Sequence, residues 1–225
     1  MMTQDGQMPH LADINWLEPP TSPFPFRCLY VRLFCSQLFS TTVDARVADR
    51  FTLLRSSTGG HVMGRLPEGD ILVPCDLSYP FNGNSAEGPL FKAAVMEDKW
   101  DIFLLADGLY FSRSWTGELV YKAEVRFAFD RVEIRGVRAA GRSLKDGAAQ
   151  VACDVDFLMK SHLFRRAAPY LIPASLPVDD YAAAMYGFSA FGRYAVYAAR
   201  DDACFLQPED CPTLGKNGET PAAAG

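Results

Sequence analysis

The chain has 225 residues, of which 49% are hydrophobic and 22% are charged, as is typical of a globular protein. Its formal net charge of -5 at pH 7 gives no reason to expect nucleic acid as a partner. No apolar run approaches the roughly 18 residues that a membrane-spanning helix needs, so we expect no membrane partner either.

The two ends of the chain are expected to differ from its middle. The first 26 residues should form an extended arm, because proline fixes the backbone and cannot donate to a strand ladder. The prolines concerned are Pro19, Pro20, Pro23 and Pro25. Residues 27–200 are expected to form a single α+β domain, and residues 201–225 a polar, disordered tail. The N-terminus shows no basic segment followed by an apolar one, so we expect a cytoplasmic protein.

The first part of the domain predicts helices and strands in alternation. Arg27–Cys35 is apolar on both faces and predicts either a buried strand or a short helix. Val43–Arg55 has one apolar stripe, which predicts a helix with Thr42 as its N-cap. Ile71–Val73 predicts a short strand, and Pro89–Asp98 predicts a short helix with proline at its first position.

Residues 100–139 give the clearest structural signal in the sequence. Asp107-Gly108 is a typical hairpin turn, and Thr116-Gly117-Glu118 is a second turn signal. The predicted strands around these turns are Ile102–Leu105, Leu109–Trp115, Leu119–Phe129 and Arg131–Arg135. Because the strands follow one another without intervening helices, the sequence predicts an α+β fold. Its centre is an antiparallel β-meander of at least four strands, about residues 100–139, packed by helices on one face.

Charges on the last two predicted strands suggest how they pair. If the turn centres on Phe129-Asp130, Arg126 lies opposite Glu133 and Glu124 lies opposite Arg135. Opposite charges that face each other across a strand pair each contribute roughly 0.2–1 kcal/mol. The matching signs therefore support this register.

Helical signals return after the meander. Gln150–Ala167 predicts a helix with acidic residues near its start and basic residues near its end, as the helix dipole favours. A second helix is predicted to begin near Val178 and to end at Gly192. Tyr194–Ala199 predicts a last strand.

Cysteines and histidines do not show the spacing of a metal site. The six cysteines contain no C-x-x-C pair, and the three histidines, His10, His61 and His162, are far apart in sequence. A long chain without an export signal favours free, buried thiols over a disulfide framework. We therefore expect no metal and no cofactor.

Arg113 is the most unusual residue of the meander. In a strand from Leu109 to Trp115 it shares one face with Leu109, Phe111 and Trp115. A guanidinium on an apolar face needs a carboxylate, a set of carbonyl groups or a ligand anion. Two structural interpretations are an ion pair with Asp101 or Glu124, and extension of the side chain to solvent.

The functional interpretation of Arg113 is that it binds a phosphate or carboxylate group. Trp115 would then form a stacking wall, and the candidate ligand-binding residues are Arg113, Ser114, Trp115 and Thr116. No histidine lies near these hydroxyl groups in sequence, so the catalytic residues are unknown. His61 directly follows the Gly-rich segment 56–60, and a catalytic role for it stays an alternative.

The segment from Asp98 to Tyr121, DKWDIFLLADGLYFSRSWTGELVY, resembles a family of uncharacterised bacterial proteins. Their shared pattern is K-W followed by L-x-F-x-R-S-W-T-G-x-x-x-Y, and residues 113–117 match it one for one. In that pattern the residue before the arginine is often histidine, whereas this chain has Ser112. The resemblance implies a strand–turn–strand unit around Arg113 and no particular activity.

Two functions follow as expectations. The first is a non-catalytic protein-interaction or immunity-type module, since no set of nucleophile and base, metal-ligand spacing or cofactor loop is visible in the sequence. The alternative is an enzyme or ligand-binding domain for an anionic small molecule, such as a nucleotide or phosphoester. In that case Arg113 and Trp115 would hold the ligand, and the basic strand surface of Arg126, Arg131 and Arg135 would attract it.

Overall fold

The computed structural model describes residues 11–81, 86–200 and 206–214. They form an α+β fold with one six-stranded antiparallel sheet and one four-stranded mixed sheet. The chain divides into two compact units, a central unit (Thr41–Ala152) and a terminal unit (Met1–Ser40 with Cys153–Gly225). Each unit is described by itself below.

Along the chain, two short strands and two helices precede the strands of the larger sheet, and helices then alternate with short strands to the last strand. The strands are β1 Asn15–Leu17, β2 Cys28–Tyr30, β3 Ile71–Pro80, β4 Gly88–Phe91, β5 Trp100–Leu105, β6 Gly108–Arg113, β7 Leu119–Phe127, β8 Arg131–Ala139, β9 Pro169–Leu171 and β10 Tyr197–Ala199. The α-helices are α1 Arg32–Ser36, α2 Ala45–Arg55, α3 Ala148–Leu158 and α4 Asp180–Phe191. A π-helical turn, Met159–Leu163, continues α3.

The central unit is built on the six-stranded sheet, whose strand order is β3-β8-β7-β6-β5-β4. Strands β5 to β8 are antiparallel neighbours in sequence order, which confirms the predicted meander. The hairpin between β5 and β6 turns at Ala106-Asp107, one residue before the predicted Asp107-Gly108, and Gly108 begins β6 with a φ of +146°. A Cβ atom at this position would lie 2.4 Å from the carbonyl oxygen of Ala123, so only glycine fits here.

One of the two predicted cross-strand charge pairs is confirmed and the other is wrong. Arg126 lies opposite Glu133, as expected. A register shift between Glu124 and Val125 places Glu124 opposite Gly136 instead of Arg135. The carboxylate of Glu124 consequently pairs with Arg138 at 3.6 Å. A bulge adds a residue on one strand, and sequence alternation alone does not show it.

Three local predictions in the central unit are corrected by the structure. The helix expected at Pro89–Asp98 is absent, because β4 occupies Gly88–Phe91 and the next residues form a turn whose N–H groups donate to Asp98. Asp44, not Thr42, caps α2, since its carboxylate accepts from the backbone N–H of Arg46 at 3.0 Å. Strand β6 ends at Arg113 instead of reaching Trp115.

The core of the central unit forms where the long loop after α2 covers the sheet. A cluster of buried side chains joins that loop to the meander: Val62, Phe103, Leu105, Tyr110 and Leu119. Gly59, with φ of +105°, brings the loop so close that a Cβ atom there would lie 3.0 Å from the ring of Phe103. The loop is therefore held against the sheet by close packing.

The terminal unit contains the four-stranded sheet, in the order β1-β2-β10-β9. Arg27–Cys35, which predicts a strand or a helix, forms β2 followed by α1. The helix predicted at Gln150–Ala167 is shorter than expected, since α3 gives way to the π-helical turn at Met159. The last strand is confirmed and is limited to Tyr197–Ala199.

The cysteines follow the prediction at four positions. Cys28, Cys35, Cys75 and Cys211 are free thiols. Burial raises the pKa of Cys35 to about 12, which keeps it in the unreactive thiol form. Cys153 is disulfide-bonded, so the expectation of a free thiol is wrong at that position. Cys204 lies outside the described residues.

Several predictions concern the ends of the chain. Residues 1–10 of the predicted arm and residues 201–205 and 215–225 of the predicted tail lie outside the described residues. Across the described ranges, no helix is long and apolar enough to cross a membrane. The same ranges contain no group of three or more histidine, cysteine or acidic residues that could hold a metal ion.

Candidate anion-binding cavity

A loop and a turn of the central unit meet beside α2. The turn follows β6 and is closed by two backbone hydrogen bonds, from Gly117 N to Arg113 O and from Arg113 N to Glu118 O, both 2.8 Å long. Gly117 has φ of +66°, and a Cβ atom there would lie 3.1 Å from Leu54 and 3.2 Å from His61. The absence of a side chain at residue 117 therefore lets the turn contact both α2 and the loop.

A cavity of about 430 Å³ opens where these three segments meet. The residues that line it are Arg50, Val62, Arg65, Leu66, Glu68, Thr116, Gly117, Glu118 and Leu119. Its volume lies in the range of roughly 300–1,000 Å³ that is usual for small-molecule sites. Arg50, Arg65, Glu68 and Thr116 are all exposed to solvent, so the cavity is an open depression in the surface of the central unit.

Two arginines supply the positive charge of the cavity wall. Arg50 donates from Nε to the carbonyl oxygen of Thr116 at 2.5 Å, and Arg65 donates from Nη1 to the carbonyl oxygen of His61 at 3.2 Å. Within residues 11–81, 86–200 and 206–214, neither arginine has an acidic partner within ion-pair distance. Each guanidinium therefore keeps donor groups for a ligand.

The acidic residues of the wall differ from each other. Glu118 forms an ion pair with Arg142. Glu68 forms no ion pair with any described residue, although its backbone carbonyl accepts from Gly141 N at 3.0 Å. Among the lining side chains, Arg50, Arg65 and Glu68 are thus the charges that no ion pair with a described residue neutralises.

His61 lies behind the cavity wall. Its Nδ1 atom is 2.8 Å from the hydroxyl oxygen of Ser57, and its buried Nε2 atom has no hydrogen-bond partner among the described residues. Burial lowers the pKa of His61, and the positive charge of Lys92 lowers it further. The imidazole is consequently neutral at pH 7, so it adds no positive charge to that of the two arginines that line the cavity.

Arg113 lies on the strand face that the sequence predicts, with Leu109 and Phe111 in β6, and directly opposite Trp100 of β5. Its guanidinium lies over the ring of Trp100, 4.8 Å from the ring centre, and Trp100 in turn stacks on Tyr121. Asp101, a proposed partner, accepts from Lys92 at 2.7 Å and from the backbone N–H of Ala93 at 2.9 Å. The interpretation of the sequence considered an ion pair or extension to solvent for Arg113, and it did not include this cation–π contact with Trp100.

Ser114 and Trp115 bind the segment that precedes β5. The hydroxyl group of Ser114 donates to the carbonyl oxygen of Asp98 at 2.6 Å. The indole N–H of Trp115 donates to the carbonyl oxygen of Met96 at 2.8 Å. Lys99 lies over the Trp115 ring, 4.6 Å from its centre. Burial and the nearby charge of Arg113 lower the pKa of Lys99 to about 8.

The predicted site residues are therefore divided between two places. Thr116 lines the cavity, whereas Arg113, Ser114 and Trp115 contact residues 96–100. The prediction that Trp115 shares a strand face with Arg113 is wrong, because Trp115 lies in the turn that the Ser114 and Gly117 hydrogen bonds fix. Whether these residues bind a ligand stays a prediction.

No protein-family model, no curated protein and no solved structure matches the chain. Sequence reasoning did not identify Arg50 and Arg65 as site residues. Arg50 has the position of an ordinary solvent-facing helix residue, and Arg65 lies in a loop without a motif. Only the folded chain brings them to one cavity.

Proposed function

We propose that the central unit binds an anionic small molecule, such as a phosphoester or nucleotide, in the cavity of Arg50 and Arg65. One observation carries the proposal: two arginines line the same cavity, and neither has an acidic partner in the described part of the chain. The proposal includes the expectation of a cytoplasmic bacterial protein and involves no cofactor, nucleic acid or membrane.

The chemistry of the wall suits a small anion with an apolar portion. Guanidinium groups donate several hydrogen bonds in a fixed planar geometry and bind phosphate or carboxylate oxygens in pairs. Thr116 supplies a hydroxyl group, and Val62, Leu66 and Leu119 supply apolar surface. Of these three, Leu66 is the exposed one, so a ligand would contact it together with the charged groups of the wall.

Isothermal titration calorimetry with a panel of phosphoesters, nucleotides and carboxylates tests this proposal. Arg65→Gln and Arg50→Gln should each weaken binding of the best ligand about tenfold, the usual effect of removing one charge-assisted hydrogen bond. Arg55→Gln is the matched control, since Arg55 is an exposed residue of α2 that does not line the cavity.

Two results would contradict the proposal. One is the absence of binding to every anion of the panel at millimolar concentration. The other is binding that Arg113→Gln weakens while Arg50→Gln and Arg65→Gln leave it unchanged, which would move the site to the surface that the sequence suggests.

A second candidate, the protein-interaction module, is favoured by the tip of the hairpin between β7 and β8. Phe129 is 98% exposed and Phe127 is 44% exposed. The ring of Phe127 packs on that of Phe81 with 4.9 Å between centroids. Exposed aromatic side chains grouped in this way are typical of interaction surfaces. Charges of both signs surround them, namely Arg126, Asp130, Arg131 and Glu133.

A second copy of this chain is the partner that this candidate proposes, because a patch with balanced charges can face itself across a twofold axis. Sedimentation velocity across a concentration series should then show association of the wild type that Phe129→Ser removes. Leu53→Ser is the control, since Leu53 is 73% exposed and lies on α2. A wild-type protein that is monomeric at every concentration, or a Phe129→Ser variant that still associates, would contradict this candidate.

A further inference from the structure

The charges of the cavity wall indicate more than a preference for anions. Arg50 and Arg65 are positive and without acidic partners among the described residues, while Glu68 is negative and without a basic one. Glu118 is compensated by Arg142. The wall thus offers two positive charges and one negative charge to whatever enters the cavity.

We propose that the cavity selects a small molecule that carries two negative charges and one positive charge. This inference rests on the proposed function, because it assigns a ligand class to the same cavity. Acidic amino acids and phosphorylated amines share this chemistry. An acidic amino acid has two carboxylates and one ammonium group, and a phosphorylated amine has an ammonium group and a phosphate of charge near -2 at pH 7.

Glu68 is the residue that distinguishes such a ligand from a simple dianion. A dianion gains from both guanidinium groups and is repelled by the carboxylate of Glu68. An ammonium group on the same ligand turns that repulsion into an attraction. The carboxylate thus raises affinity for one class of ligand and lowers it for the other.

The two arginines of the cavity wall come from different segments of the chain. Arg50 belongs to α2, whereas Arg65 belongs to the loop that covers the sheet. Each side chain is held by a hydrogen bond to a backbone carbonyl oxygen, that of Thr116 for Arg50 and that of His61 for Arg65. A ligand that contacts both arginines would present a different anionic oxygen to each, from two carboxylates or from one phosphate.

Calorimetric titration of the full chain with matched pairs of ligands tests the inference. Aspartate is compared with succinate, and phosphoethanolamine with ethyl phosphate, because each pair differs chiefly in the ammonium group. The ammonium-bearing member of at least one pair should bind about three- to fivefold more tightly, as expected for one solvent-accessible ion pair. The pair that shows the preference identifies whether the ligand is an amino acid or a phosphorylated amine.

Glu68→Gln removes the charge and keeps the shape of the side chain. It should weaken binding of the ammonium-bearing ligand, strengthen binding of its partner and abolish the difference between them. Glu87→Gln is the matched control, because Glu87 is exposed in the same unit and does not line the cavity.

The outcomes separate the two proposals. Equal binding within both pairs, unchanged in Glu68→Gln, would overturn the inference about ligand class while anion binding in the cavity stands. Absence of binding by all four compounds and by the wider anion panel would overturn both. Tighter binding of succinate and ethyl phosphate than of their ammonium-bearing partners would also overturn the inference.

Discussion

Gly117 shows how a single residue positions the cavity. Its φ of +66° is unfavourable for residues with a Cβ atom, and a Cβ atom there would lie close to Leu54 and His61. We expect Gly117→Ala to lower the free energy of unfolding by roughly 1–2 kcal/mol. Urea unfolding followed by circular dichroism measures this change.

Gly60→Ala is the control for that experiment. A Cβ atom at Gly60 would meet nothing within 4 Å, and its φ lies outside the left-handed region. Its free energy of unfolding should stay within about 0.5 kcal/mol of the wild-type value. Equal effects of the two substitutions would show that contacts at Gly117 do not hold the turn against α2 and the loop.

At the scale of single residues, sequence reasoning identified segments better than it identified contacts. The segment around Arg113 and Trp115 does adjoin the cavity, but only Thr116 of the predicted set lines it. Arg113 lies over Trp100, which is its cross-strand partner in the hairpin of β5 and β6. Such contacts depend on the register of β5 against β6, which alternation of residue types does not determine.

The π-helical turn after α3 contains His162, a buried histidine whose protonation makes the stability of the fold depend on pH. His162 is 2% exposed, stacks on Tyr194 at 4.2 Å and lies 2.8 Å from the hydroxyl group of Ser161 through Nδ1. Burial, with Arg165 and Arg193 nearby, lowers the pKa of His162 to about 3. The unfolded chain binds a proton near pH 6.5, where the folded chain does not.

The folded state therefore loses stability as the pH falls from 6.5 towards 3, because the unfolded state then binds more protons. At pH 4.5 the loss from this group should be roughly 2–3 kcal/mol relative to pH 7. Urea unfolding at both pH values should show that His162→Gln removes this part of the pH dependence. His61→Gln is the comparison and should remove a smaller part of the pH dependence, because His61 is only partly buried. Identical pH profiles of His162→Gln and wild type would contradict the assignment.

Elements were predictable where local patterns are strong. The meander follows from alternation and turn residues, as Asp107-Gly108 illustrates. The helix expected at Pro89–Asp98 failed because Gly88–Phe91 pairs with β5, a contact with residues outside the segment. The π-helical turn likewise has no sequence signature, and it interrupts a helix whose pattern continues through it.

At the scale of the whole molecule, pairing between distant segments determines the architecture. In the terminal unit, Leu29 of β2 pairs with Ala198 of β10, and β10 pairs in parallel with β9. No periodicity of a single segment indicates a partner so far along the chain. The central unit, by contrast, is one continuous stretch that contains β3 to β8.

We expect the stretch Thr41–Ala152 to fold when it is expressed by itself, because it holds a complete six-stranded sheet and its own buried cluster. Circular dichroism should show a β-rich spectrum and a single cooperative transition in urea. A fragment that is unfolded in buffer, under conditions in which the full chain is folded, would contradict the division into two units.

Binding of an anion between Arg50 and Arg65 can be followed in the amide NMR spectrum of the full chain during titration with inorganic phosphate, against chloride at equal ionic strength. We expect the shifted amides to group in the non-proline residues of 62–68 and in 116–119, and Arg50→Gln combined with Arg65→Gln to abolish the shifts. Unchanged amides in both segments, or shifts confined to Lys99 and Arg113–Trp115, would contradict it.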